Sequence, residues 1–107
     1  MRPALTLIAA LAALGAIGEA RAQMTAVCQR DLLVADSALK TAVEKLTSAA
    51  SGSEQDRCAA WRNQVSAVRQ VREIYGRCAP DRARSPQFLQ TAAGANDLER
   101  VIKERCK

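Results

Sequence analysis

Across residues 26–50 the apolar positions recur in alternating steps of four and three: Cys28, Leu32, Ala35, Leu39, Ala42, Leu46 and Ala49. Steps of that size put all of them on one face of an α-helix. Arg30, Asp31, Lys40, Glu44 and Lys45 take the other side, and no Pro or Gly interrupts the run. Thr25, just before it, is suited to accept the first free backbone N–H as an N-cap. The stripe is narrow and contains alanine, which fits close packing in a small bundle.

A second run follows at residues 58–78, CAAWRNQVSAVRQVREIYGRC, with a cysteine at each end. Cys58, Trp61, Val65, Val68, Val71 and Tyr75 form its apolar stripe, and Ala60, Ala67, Ile74 and Cys78 widen it. A wide stripe marks a central helix with two neighbours, predicted here over 54–77. Ser51-Gly52 punctuates the end of the first helix. Ser53, with Asp56 three residues later, resembles a capping box with Asp in place of the usual Glu. Glu54 and Asp56 also suit the positive end of a helix dipole. Gly76 and then Ala79-Pro80 are expected to stop the second helix.

Residues 81–85 read as a short polar turn. Ser85-Pro86 then restarts a helix, with Ser as N-cap and Pro at the first helical position. The third helix is predicted over 86–106, with Phe88, Leu89, Ala92 and Ala93 facing inward, then Leu98, Val101, Ile102 and Cys106. Gly94-Ala95-Asn96 weakens it, and Asn96 with Glu99 can cap a fresh start, so a kink near Gly94 is expected. No run of β-branched residues alternates with polar ones, so no strand is predicted. The expected fold is an all-α, up-down-up three-helix bundle.

The N-terminus has a different pattern. Met1-Arg2 supplies a positive charge, residues 5–17 are an almost unbroken Ala/Leu/Ile run, and Ala20-Arg21-Ala22 is a small-x-small site. This is the pattern of a secretory signal peptide over 1–22, cleaved after Ala22 and bacterial in its Ala-rich composition. The run falls short of the roughly 20 residues that span a bilayer, so no transmembrane anchor is expected after cleavage. Val27, rather than a small residue, precedes the first cysteine, which argues against lipid anchoring. The expected location is the periplasm or the exterior, with one helical domain over 23–107.

Cys28, Cys58, Cys78 and Cys106 all follow the signal. An even cysteine count in a short exported chain implies a disulfide framework. A zinc site would need close cysteine pairs or histidines, and the chain has no His. Cys58 and Cys78 lie 20 residues apart on one helix, about 30 Å at helical rise, beyond disulfide reach. In an up-down-up bundle Cys28 and Cys78 share one end, and Cys58 and Cys106 share the other. The expected bonds are therefore Cys28–Cys78 and Cys58–Cys106. Each closes a loop of nearly 50 residues, worth roughly 4 kcal/mol from restricted chain entropy. The support matters, because one Trp, one Tyr and one Phe make a thin core.

Charge changes the picture only a little. Without the signal, 14 basic residues face 10 acidic ones, a mild excess that permits an anionic partner. Arg62, Arg69 and Arg72, with Arg77, Arg82 and Arg84 beyond them, give the central helix and its turn a basic flank. That flank is the candidate site for an envelope protein or an anionic envelope component. Export and the lack of stacking aromatics argue against nucleic acid. Catalysis is not expected, since the chain offers no His for acid–base work, no free thiol once the disulfides form, and no nucleotide or hydrolase motif. No cofactor or metal is expected. Trp61 and Tyr75 are expected in the core, each covering a disulfide one turn away, with the Tyr75 hydroxyl at the surface. The function these features favour is a non-catalytic binding or accessory protein of the cell envelope. A periplasmic acid or oxidative stress chaperone is one alternative. A secreted enzyme inhibitor acting through residues 80–86 is the other.

Overall fold

The computed structural model describes residues 25–107; the expected signal peptide and its cleavage site lie outside them. Helix accounts for 88% of the described residues and no strand occurs among them, so the core is built from helix-on-helix packing. Three long helices, α1 (Ala26–Ala49), α2 (Glu54–Cys78) and α4 (Pro86–Arg105), are joined by short links, and α3 (Pro80–Ala83) is a single turn between the last two.

Each long helix begins on a side-chain cap. Thr25 Oγ1 accepts the Cys28 N–H at 3.1 Å. At the start of α2 the capping box is complete: Asp56 N–H donates to Ser53 Oγ and Ser53 N–H to Asp56 Oδ2, each at 3.1 Å. Ser85 Oγ accepts the Phe88 N–H at 3.2 Å, and Pro86 occupies the first turn of α4. Gly52 is needed for space rather than for an unusual backbone angle, since no described glycine has positive φ. A Cβ at Gly52 would lie 2.7 Å from Asp56 Oδ2 and 3.3 Å from the Ala49 carbonyl oxygen.

Two disulfides fix the topology. Cys28, at the start of α1, is bonded to Cys78 at the end of α2, with Cα atoms 5.3 Å apart. Cys58, near the start of α2, is bonded to Cys106 just after α4, with Cα atoms 5.7 Å apart. Helix α2 is therefore the strut, antiparallel to both neighbours and crosslinked outward at its two ends. No Cα of α1 comes within 8 Å of one in α4, so α2 is what brings them together.

The core follows the sequence periodicity. Leu32, Ala35 and Ala42 of α1 are buried, and Cys28, Leu39, Leu46 and Ala49 complete the same stripe half-buried. Val65, Val68, Val71, Ile74 and Tyr75 of α2 meet Phe88, Ala92 and Ala95 of α4. Val68 and Val71 are the largest side chains removed from solvent altogether. Six of the fourteen buried core residues are alanines. Each contributes far less than the ~1.5–3 kcal/mol of a fully buried large aliphatic, so the fold depends on its crosslinks.

Three expectations need correction. First, α4 runs as one helix through Gly94 and Asn96. Ala92 and Ala95, on either side of Gly94, are both buried, and packing on α2 holds the register there. Second, Leu89 and Ala93 are exposed. Because α4 packs chiefly on α2, its buried face is the narrow row of Phe88, Ala92 and Ala95. Third, residues 80–83 form α3 instead of part of a polar turn. Pro80 starts that turn in the position proline tolerates, and Ser85 Oγ donates to the Arg82 carbonyl at 2.9 Å, tying it to α4.

Candidate functional site

Arg62 and Arg69 are seven residues apart on α2, so they share a face, and that face borders α4. Arg62 donates to the Cys106 carbonyl oxygen at 2.8 Å, and Arg69 is ion-paired with Glu99. Between these two bridges lies a groove of about 440 Å³. Val65, buried on α2, and Ile102, half-buried on α4, form its apolar floor. Arg62 and Arg69 line one wall, and Lys103 and Glu99 line the other. The disulfide Cys58–Cys106 pins the two helices one turn beyond Arg62.

The other candidate arginines lie elsewhere. Arg77 turns to α1 and pairs with Asp31 at 3.4 Å, while its other terminal nitrogen is 3.9 Å from Cys78 Sγ. Arg82 pairs with Asp36 of α1 at 3.6 Å and lies over the Tyr75 ring at 5.8 Å. Arg84 pairs with Asp81 at 3.0 Å on the exposed α3 turn. Arg72 is exposed on α2. The six therefore split by partner: Arg62 and Arg69 toward α4, Arg77 and Arg82 toward α1, and Arg84 within its own turn. Lys103 belongs with the first group and was missed by reading α2 alone. The available signal was its place one turn after Glu99 and next to Ile102 of the apolar stripe.

Charge is unevenly distributed. Helix α1 balances Arg30, Lys40 and Lys45 against Asp31, Asp36 and Glu44. Helix α2 sets five arginines against Glu54, Asp56 and Glu73, a net +2, while α3 and α4 are each neutral; Arg84 and Lys107 supply the rest of the excess of the described residues. The ion pairs named above are exposed, each worth ~0.2–1 kcal/mol. Arginine has five N–H donors, so Arg62 and Arg69 retain capacity for a second acceptor.

The two large polar aromatics sit near opposite disulfides. Tyr75 is buried, meets Phe88 edge-on with ring centroids 5.1 Å apart, and donates its hydroxyl to Asp36 Oδ1 at 3.1 Å. The hydroxyl is thus held by a carboxylate of α1. Burial, and secondarily the Asp36 carboxylate, push the Tyr75 phenol above its ordinary value. Trp61, one turn after Cys58, is half-buried, with the Arg105 guanidinium 5.3 Å from the ring centroid, in cation–π range. Arg105 also pairs with Glu54 at 3.2 Å. Hydrogen bonds from Arg57 and then Arg105 lower the Glu54 carboxyl from its ordinary value.

Among the described residues there is no cluster of three or more potential metal ligands, and no helix is long and apolar enough to cross a membrane. Fold and site together define a class: a disulfide-crosslinked helical bundle with a cationic inter-helix groove. Comparison of the chain with protein-family models, with curated proteins and with solved structures finds no match.

Proposed function

We propose that the chain is an exported, non-catalytic binding or accessory protein of the bacterial cell envelope. The observation that carries this reading is the complete pairing of its four cysteines into two disulfides, one at each end of α2. Such crosslinks persist in oxidising compartments and are rare in the cytosol, which agrees with the signal-like N-terminus of the sequence. With the thiols bonded and no histidine in the chain, the chemistry left to it is recognition through charged side chains.

The test is expression of the full chain in a bacterial host, followed by cell fractionation and thiol labelling. The expected product is periplasmic or released, begins at Gln23, and resists alkylation until reduced. A cytoplasmic product that retains Met1 and carries free thiols would refute the reading.

A further inference from the structure

We infer that the groove between α2 and α4 is a docking site for an acidic helical segment of a partner protein; this rests on the binding-protein reading above and adds the partner's chemistry. Three observations carry it. Val65 and Ile102 supply an apolar floor, which a small acid or a free ion does not need. Arg62, Arg69 and Lys103 stand around that floor, opposed on the groove walls by Glu99 alone. Helix α2, which supplies the Arg62 and Arg69 wall, also carries a net +2, half of the excess positive charge of the described residues.

The spacing describes the partner. Arg62 and Arg69 are separated by two helical turns, about 10.5 Å along the axis. A helix laid in the groove would match them with carboxylates at positions i and i+7, and would place an apolar side chain at i+3 or i+4 over Val65 and Ile102. Recognition of an amphipathic helix by a groove between two helices is an established mode of peptide binding, and complementary charge sets its orientation and speeds its encounter. A membrane surface fits this face less well. Interfacial binding needs large apolar side chains exposed beside the cations. Of the large apolar side chains exposed in that way, Val27, Leu33, Val34 and Val43 belong to α1, whose Cα atoms stay more than 8 Å from those of α4, and Leu89 of α4 lies 13 residues from Ile102, about 20 Å along the helix axis. The floor residues here are recessed where a flat bilayer does not reach.

Two features of the groove regulate its affinity. Glu99 occupies Arg69 and competes with an incoming carboxylate. The Cys58–Cys106 bond holds the walls together, so binding requires the oxidised chain.

The experiment uses the oxidised, exported chain, isotopically labelled, titrated with a 16-residue helical peptide carrying Glu at i and i+7 and Leu between them. A second peptide has the same composition in scrambled order, and vesicles of phosphatidylglycerol provide a lipid arm. Amide shifts are expected at Val65, Arg69, Ile102 and Lys103, with binding about fivefold tighter than for the scrambled peptide. Exposed charge pairs of the size given above predict that Glu99→Gln tightens binding about threefold. They also predict that Arg69→Gln combined with Lys103→Gln weakens it about tenfold, with an unchanged circular dichroism spectrum. Equal binding of the scrambled peptide, shifts confined to α1, or binding to vesicles without binding to the patterned peptide would each overturn the proposal. Those failures leave export and oxidation untouched. A chain found reduced in the cytoplasm would instead remove the envelope reading and leave the groove measurement standing.

Discussion

Replacing both Cys58 and Cys106 with alanine removes one crosslink and leaves no unpaired thiol. The bond spans 48 residues of sequence. Closing a loop of that size restricts the unfolded chain by ~14 cal/mol/K, so its removal costs about 4 kcal/mol at 25 °C. A domain of this length has about 4–13 kcal/mol in all, so the loss is a third of its stability or more. At ~4–8 °C per kcal/mol for a domain of 60–100 residues, the midpoint of thermal unfolding should fall by about 15–30 °C. Urea titration followed by far-ultraviolet circular dichroism and by Trp61 fluorescence checks the figure with one global and one local probe. Trp61 is the only tryptophan and sits one turn from the removed bond. The Cys28→Ala, Cys78→Ala pair is an internal control, since its bond spans 50 residues and predicts nearly the same loss from the opposite end of α2. A loss below about 1 kcal/mol in either variant would refute the loop-closure reasoning, and so would a threefold difference between the two.

The glycines separate by location: Gly76→Ala and Gly94→Ala place a methyl in open space within a helix and should each raise stability by about 0.5–1 kcal/mol in urea titration. Gly52→Ala crowds Asp56 and should lower it by about 1 kcal/mol, the usual cost of a lost cap. For Tyr75 the folded phenol titrates above its ordinary 10.0, so its neutral form adds stability that is complete below pH 10 and fades as pH rises through the folded value. The gap in unfolding free energy between the wild type and Tyr75→Phe should therefore narrow above pH 10, and a 295 nm titration midpoint at or below 10 would contradict this. Glu54 has the opposite sign: its carboxyl is held below the ordinary 4.5, so its pairing with Arg57 and Arg105 adds stability that is complete above that value and is lost as pH falls through the lower folded one. The protection factors of amides at the start of α2 and the end of α4, corrected for intrinsic exchange, should fall at pH 3 relative to pH 6, and Glu54→Gln should show a smaller change.

What could be read from the sequence is what depends on near neighbours. The four-three spacing located all three long helices, Thr25, Ser53 and Ser85 announced their caps, and the length of α2 ruled out a Cys58–Cys78 bond. The misplaced features depend on which helices meet. Leu89 and Ala93 fit an inward stripe on a helix with two neighbours, but α4 has one main neighbour. Gly94 and Asn96 carry signals for a break, and the flanking alanines buried against α2 outweigh them. The arginines looked like one basic flank because Glu99 and Asp31, which divide them, lie 30 and 46 residues away in sequence. The groove was illegible for the same reason, since its two walls come from distant segments.

The placement of the crosslinks also determines how the oxidised molecule would carry tension. A pull between residue 25 and Lys107 enters at Cys28, crosses to Cys78, runs along α2 to Cys58 and leaves through Cys106. Helices α1 and α4 join the same two crosslinked ends in parallel, through 30 and 28 peptide steps, so the 20 steps of α2 are the first to be drawn taut. The 20 peptide steps between Cys58 and Cys78 set the limit, from about 30 Å as helix to about 70 Å when drawn straight. The oxidised protein is thus a short tether with a fixed limit of extension, whereas the reduced chain would pay out nearly its whole length.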